Sequence, residues 1–127
     1  MDEKQTKDKL EIIFQMQGAL DGYIKEQREL KFEPDEWVQK RCLALMSELG
    51  EVLDETNFKW WKNKKEIDFP ALKEELVDVL HFWVGMCIDA GMTAQEVFDI
   101  YYAKNKENFD RQNGLSSKKG YELKDKK

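Results

Sequence analysis

The sequence predicts an all-α fold with four helices, and three observations support it. Apolar residues recur three and four positions apart along most of the 127 residues, which is the spacing of one face of a helix. Turn-forming and helix-breaking residues separate these periodic stretches. The composition, with 41% hydrophobic and 37% charged residues, is typical of a soluble, helix-rich globular protein.

The helix boundaries follow from local signals. Pro34 suits the first turn of a second helix, and Gly91 suits the end of a third. Thr93 and Glu96 form a capping box that opens a fourth helix. The predicted helices cover residues 5–30, 35–56, 68–90 and 94–112.

Length and composition also limit the possible locations and partners. The chain is long enough for one domain, which we place at residues 1–114, followed by a lysine-rich and flexible tail at 115–127. No apolar run approaches the roughly 20 residues of a membrane span, and the N-terminus is charged, so we expect a cytoplasmic protein without a membrane partner. The net charge of −5 argues against nucleic acid as a partner. Cys42 and Cys87 lie in apolar helical patterns and are expected to be reduced and buried.

A repeated phrase at residues 45–53 and 72–80 is the strongest functional signal. Each copy places two acidic residues three positions apart beside an apolar stripe: Glu48 and Glu51, then Glu75 and Asp78. Two helices packed through these stripes would bring four carboxylates to one edge of their seam. Such a group of anions needs a cation, and oxygen-only ligands suit Mg²⁺ or Mn²⁺. The alternative is that each pair lies on an ordinary solvated helix face.

Three single residues differ from what their positions in the predicted helices would favour. Gln17 falls within the apolar stripe of the first helix, so its amide needs either a partner on another helix or a polar ligand such as a base edge. His81 is the only histidine and follows Asp78 by one turn, where a structural role is the more common one. Gly50 lies inside a predicted helix, where glycine costs about 1 kcal/mol, and this indicates a close approach of backbone or ligand.

Two cationic segments could hold phosphates. The loop after the second helix contains, in sequence, Lys59, Trp60, Trp61 and Lys62. Its lysines could bind phosphate oxygens while an indole packs a base, or the indoles could cap the core with solvated lysines around them. The fourth helix carries one stripe of hydrogen-bond donors: Lys104, Asn108 and Arg111. The alternative for this stripe is a solvated face.

The two acidic pairs with their spacer resemble the signature of the all-α nucleoside triphosphate pyrophosphohydrolases, which include MazG-type enzymes and the dimeric dUTPases. Further segments are similar to the dUTPase branch in particular, and they are found at residues 16–21, 58–62, 78–82 and 104–112. The resemblance spans residues 14–114 in the family order. The chain departs from it in a short connection at residues 90–93, and in Asp21, where the family often has Asn.

The resemblance implies a four-helix bundle of this type, a homodimer, and Mg²⁺-dependent cleavage of dUTP to dUMP and pyrophosphate, with Mn²⁺ as a possible substitute. It implies that the metal ligands are Glu48, Glu51, Glu75 and Asp78, with Glu48 also orienting or deprotonating the attacking water. Gln17 would read the uracil edge, with Asp21 close to the base, while Trp61 would shape the base pocket and Phe82 would pack on the deoxyribose. The implied phosphate ligands are Lys59, Lys62, Lys104, Asn108 and Arg111.

Three alternatives compete with this interpretation. The first is a MazG-type hydrolase that prefers dCTP or accepts a broader set of nucleotides. The second, a di-iron carboxylate bundle, would need two Glu-x-x-His pairs, and this chain has neither. The third is a non-enzymatic helical interaction module that uses the tryptophan loop as its contact surface.

Overall fold

A computed structural model describes residues 8–123 of the chain. Within that range there are no strands, and the four helices are α1 (Lys9–Gln27), α2 (Pro34–Asp54), α3 (Phe69–Asp89) and α4 (Ala94–Gln112). The all-α prediction is confirmed, and the predicted helix ends in this range lie within one turn of the observed ends. The predicted start at residue 5 lies outside the described residues. None of the four helices alone is long and apolar enough to cross a membrane, although α3 and α4 taken together meet that test by length and composition.

Side chains that satisfy free backbone groups fix where two of the helices begin. Asp8 precedes α1 and accepts a hydrogen bond from the Glu11 N–H at 2.8 Å. Asp68 precedes α3 and accepts one from the Ala71 N–H at 3.1 Å. After α3, Gly91 adopts φ +83°, a left-handed conformation that glycine tolerates and that ends a helix.

The chain divides into two compact units, Met1–Thr93 and Ala94–Lys127. In the first unit α3 is central, because it packs extensively on α2 and also contacts α1. Val84 and Cys87 of α3 are buried. The expectation that Cys42 is buried is wrong, since its thiol is exposed. Cys42 is displaced by roughly 100° around α2 from the face on which Arg41 meets α3.

The second unit contains α4 and the segment that follows it. Ser116 is buried, and its hydroxyl donates to the Glu107 carboxylate at 3.4 Å. The Leu123 N–H donates to the Gln112 carbonyl at 2.9 Å. Residues 115–123, which belong to the predicted flexible tail, therefore contact α4 at more than one point. Residues 124–127 lie outside the described range.

Candidate active site

Packing of α2 on α3 brings the two acidic pairs together. Oxygen atoms of Glu48, Glu51 and Glu75 lie within 4.8 Å of one another. Asp78 lies outside this group of three, but its charge is close enough to raise the pKa of both Glu48 and Glu75. We call these four residues the carboxylate cluster.

The electrostatic state of the carboxylate cluster is unfavourable without a cation. Partial burial raises the pKa of Glu48, and the adjacent carboxylates of Glu51 and Asp78 raise it further. Contact with the Glu51 carboxylate raises the pKa of Glu75 to about 7, with partial burial and the charges of Asp78 and Glu48 adding to the effect. Among residues 8–123, no lysine or arginine forms an ion pair with any of the four.

The same residues fit a divalent metal ion. The Oε2 atoms of Glu48 and Glu75 are buried and have no hydrogen-bond partner, which is costly for a carboxylate unless a cation satisfies it. A donor set that consists only of carboxylate oxygens suits Mg²⁺ or Mn²⁺. The carboxylate cluster therefore has the charge, the donor type and the unsatisfied atoms that such an ion requires.

A second group of charged side chains joins the C-terminal half of α3 to α1 and α2. The Arg41 Nε donates to Asp89, and the Lys25 Nζ donates to the other Asp89 oxygen at 2.9 Å. The Arg41 Nη2 lies 3.2 Å from the Asp21 Oδ2, an ion pair without hydrogen-bond geometry, since that oxygen has no hydrogen-bond partner. We call Asp21, Lys25, Arg41 and Asp89 the ion-paired network. With two anions and two cations, this network is neutral.

Gln17 is buried and connects the ion-paired network to a cavity. Its Nε2 donates to the Asp21 Oδ1 at 2.8 Å, and its Oε1 lies 2.6 Å from the His81 Nδ1. Both interpretations of Gln17 thus have support, because the amide is bonded to another helix and also lines a cavity of about 290 Å³. The remaining walls are mainly apolar and include Ile13, Met16, Leu20, Val77 and Leu80. His81 has the structural role of a hydrogen-bond partner to Gln17.

Helix α3 carries residues of the carboxylate cluster, of the cavity wall and of the ion-paired network. Along it, Asp78 of the carboxylate cluster, His81 beside the cavity, and Asp89 of the ion-paired network follow one another. At 1.5 Å per residue, Asp78 and Asp89 are separated by roughly 16 Å along the helix axis. Phe82, the predicted contact of the sugar, is half-buried one turn after Asp78. His81 follows Asp78 by about one turn, so a single helix places the anionic group next to the cavity.

The loop between α2 and α3 keeps its cations available. The Asn57 side chain closes the loop by bonding the N–H and the carbonyl of Lys65, both at 2.9 Å. A cavity of about 300 Å³ lies inside and is lined in part by Lys59 and Lys62, neither of which forms an ion pair within the described residues. Trp61 is 61% exposed, which disfavours the alternative that the indoles cap the core.

The predicted phosphate ligands of α4 belong to the second unit. Lys104 and Asn108 are exposed. The Arg111 guanidinium lies 5.4 Å from the Tyr121 ring, and its Nε is 3.9 Å from Glu107. The Arg111 Nε is also buried without a hydrogen-bond partner. Phosphate binding by these three residues stays a prediction.

Arg41, Lys25 and Asp89 were not predicted from the sequence. Ion pairs between distant helices leave no fixed spacing in a sequence, so no motif marks them. One signal was present, because Asp89 ends the apolar stretch of α3 and a charged residue there calls for a partner. The mid-helix Gly85 was a second signal: a Cβ at that position would lie 2.9 Å from an Arg41 guanidinium nitrogen.

Comparison with known proteins gives consistent results. A family profile described as dUTPase matches residues 9–97. A dCTP pyrophosphatase of Enterobacteria phage T4 is 34% identical over 139 aligned positions, which cover 84% of this chain and 81% of the relative. A DNA replication protein of the same phage is 32% identical over 133 positions, 79% of this chain but 34% of the relative. A dCTP pyrophosphatase of Enterobacteria phage LZ5 is 51% identical over 41 positions, 32% of this chain and 24% of the relative. No solved structure gives a significant match.

Proposed function

This chain belongs to the dUTPase family and is a nucleoside triphosphate pyrophosphohydrolase, and we propose that it cleaves dCTP to dCMP and pyrophosphate with Mg²⁺. The observation that carries this proposal is the carboxylate cluster, with its buried and unsatisfied oxygens of Glu48 and Glu75. Membership of the family removes the alternative of a non-enzymatic interaction module. Mn²⁺ is the expected substitute metal.

The choice of dCTP replaces the dUTP predicted from the sequence. Two of the relatives are dCTP pyrophosphatases, and one of them aligns over most of its length with this chain. These relatives support the cytosine nucleotide better than the uracil nucleotide. The family profile is described as dUTPase, so dUTP is the second candidate substrate.

The proposed roles within the first unit concern the metal, the attacking water and the base. We assign the metal to the carboxylate cluster, where a bound cation would neutralise the carboxylates and polarise the phosphate chain. Glu48 orients the attacking water and accepts its proton, the role of a general base held beside the metal. The cavity beside Gln17 receives the pyrimidine, with Phe82 against the sugar and Trp61 closing over the base.

The remaining proposed role is phosphate binding. We propose that Lys59 and Lys62 of the first unit hold phosphate oxygens, and phosphate binding by Lys104, Asn108 and Arg111 of the second unit stays a prediction. Lysine side chains are cationic donors, and they stabilise the charge that develops on a leaving pyrophosphate. The predicted cytoplasmic location stays a prediction.

The function is tested with a panel of dCTP, dUTP, dTTP and dATP in the presence of Mg²⁺. We expect equal amounts of pyrophosphate and nucleoside monophosphate, fastest from dCTP, and no product after addition of EDTA. Faster cleavage of dUTP would favour the second candidate. Absence of pyrophosphate from every nucleotide would refute the proposed function.

We also propose that the enzyme is a homodimer, because α2 exposes an apolar stripe. Leu43 is 63% exposed, Met46 62% and Leu53 47%, and all three project from one side of the helix. Gly50 lies on the same side, and a Cβ there would meet no atom within 4 Å. A glycine within an exposed apolar stripe permits close approach of a helix from a second copy.

The mass of the protein in solution tests this proposal. Light scattering should give twice the chain mass, and Met46→Lys should shift the protein to a monomer. A monomeric native protein would contradict the proposal.

A further inference from the structure

A series of polar contacts leads from the interior to the wall of the cavity. It begins at the Arg41 guanidinium beside Asp21, passes through the Gln17 amide and ends at the His81 ring. Asp21 and Gln17 are each 6% exposed, so water does not compete freely for their hydrogen bonds. His81 is exposed and lines the cavity together with Gln17.

The chemistry of Asp21 determines the direction of every hydrogen bond in this series. A carboxylate paired with a guanidinium accepts hydrogen bonds and donates none, so Gln17 must turn its Nε2 toward Asp21. The Gln17 Oε1 then faces the His81 Nδ1 at 2.6 Å and can only accept, so the Nδ1 must carry the proton. In the neutral ring, the Nε2 of His81 is therefore left as a hydrogen-bond acceptor.

We infer that Asp21 is a positioning residue for base selectivity, which acts through Gln17 and His81 rather than by contact with the base. An acceptor at the cavity suits the exocyclic amino group of cytosine, whereas uracil carries a carbonyl acceptor at the same position. This inference rests on the proposed function and deepens it. It also changes the role of Asp21, which the family resemblance places close to the base among the substrate-binding residues.

The substitution Asp21→Asn should reverse the direction of the whole series. Arg41 offers only donors, so the new amide must turn its oxygen toward Arg41 and its NH₂ group toward Gln17. Gln17 then turns its oxygen toward position 21 and donates from its Nε2 to the His81 Nδ1. The His81 proton moves to the Nε2, and the cavity offers a donor that suits the uracil carbonyl.

The first measurement reads the His81 tautomer directly, without substrate. His81 is the only histidine in the sequence, so its ring ¹⁵N signals in NMR spectra are unambiguous. We expect the proton on the Nδ1 in the native protein and on the Nε2 in Asp21→Asn. The matched control is Asp99→Asn, because Gln95 donates to Asp99 across the same four-residue spacing at 2.9 Å on the surface of α4. This control should leave the tautomer of His81 unchanged.

The second measurement is the ratio of kcat/KM for dCTP to that for dUTP. Because a site that hydrogen-bonds a base edge rejects a base with the wrong groups, we expect Asp21→Asn to lower this ratio by about tenfold or more. A residue with only a structural role would lower both values equally and leave the ratio unchanged. Asp99→Asn should change neither value.

The outcomes separate this inference from the proposed function. An unchanged tautomer, or an unchanged nucleotide ratio in an active Asp21→Asn enzyme, would overturn the inference alone. Failure of the native protein to cleave either nucleotide would refute the proposed function and the inference of base selectivity with it. The His81 tautomer would still report the direction of the hydrogen bonds between Asp21, Gln17 and His81. If Asp21→Asn does not fold, Gln17→Met breaks the series while Asp21 and Arg41 stay paired. Its His81 should then lose the Nδ1 proton to the Nε2, and retention of the Nδ1 proton would overturn the inference.

Discussion

The carboxylate cluster and the ion-paired network both bring acidic side chains together where α3 packs on its neighbours, and their charges are balanced in different ways. The network pairs Asp21 and Asp89 with Arg41 and Lys25, so the protein itself supplies the opposite charge. The cluster has no ion-pair partner within the described residues, and contact with another carboxylate raises the pKa of Glu75 to about 7. Side chains whose charges are neutralised by ion pairs within the protein can hold their neighbours in position. Carboxylates without such partners must instead bind protons or a cation from solution.

The largest expected effect is the loss of the central cation of the ion-paired network. Arg41→Met leaves Asp21 and Asp89 buried without their main partner, and breaking a buried pair in this way costs about 3–5 kcal/mol. Unfolding in urea at neutral pH measures this loss. The control is Lys106→Met on α4, where the side chain paired with Asp110 is 75% exposed and the loss should stay below about 1 kcal/mol. Equal stability of the two variants would mean that the ion-paired network does not support the fold.

The second effect concerns activity and tests the other group. Glu48→Gln keeps the shape of the side chain but removes a proposed metal ligand and the proposed proton acceptor. We expect kcat to fall by at least about 100-fold while the fold is retained. Glu74→Gln is the matched control, because Glu74 is an exposed carboxylate next to Glu75 on the same helix and lies outside the carboxylate cluster. Near-normal turnover by Glu48→Gln would place the chemistry elsewhere.

The contrast between the two groups also explains what the sequence could reveal. The carboxylate cluster was predictable because each pair repeats at a fixed helical spacing beside an apolar stripe, and packing two such stripes together leaves little freedom. The helix ends were predictable from local signals such as Pro34 and Gly91. The ion-paired network joins Asp21, Arg41 and Asp89 across three helices, and such contacts depend on rotation and register that no local pattern specifies. Burial of Cys42 was mispredicted for the same reason, since an apolar neighbourhood in sequence does not fix the rotation of α2.

The third effect is stabilisation by Mg²⁺ and its dependence on pH. Glu75 has a pKa of about 7 in the folded protein against an ordinary value of 4.5, so the folded state holds a proton that the unfolded chain has released. The contribution of Glu75 to the stability of the metal-free protein is therefore lost as the pH rises from about 4.5 to about 7. A cation must replace this proton, so the rise in melting temperature caused by Mg²⁺ should be larger at pH 8 than at pH 6. A rise that shrinks with increasing pH, or no rise at either pH, would contradict a metal site at the carboxylate cluster.

The smallest effect compares two glycines inside helices. Ala in place of a helical Gly stabilises by up to about 1 kcal/mol when the new methyl group has space, and Gly22 has no atom within 4 Å of the added Cβ, so Gly22→Ala should be stabilising. At Gly85 the added Cβ would lie 2.9 Å and 3.0 Å from atoms of the Arg41 guanidinium. That group can hardly retreat, because it is paired with Asp21 and Asp89 and its Cζ lies 5.4 Å from the Trp37 ring centroid.

In Gly85→Ala, the cost of overpacking against Arg41 should therefore exceed the gain in helix propensity, with a net destabilisation of about 1 kcal/mol. Thermal unfolding of the two variants side by side measures the difference in sign. If Gly85→Ala is as stabilising as Gly22→Ala, Arg41 moves without cost and the ion-paired network does not hold Asp21 in place. In that case the kinetic ratio of dCTP to dUTP in Gly85→Ala should still match the native value, because Asp21 remains a carboxylate that can only accept from Gln17.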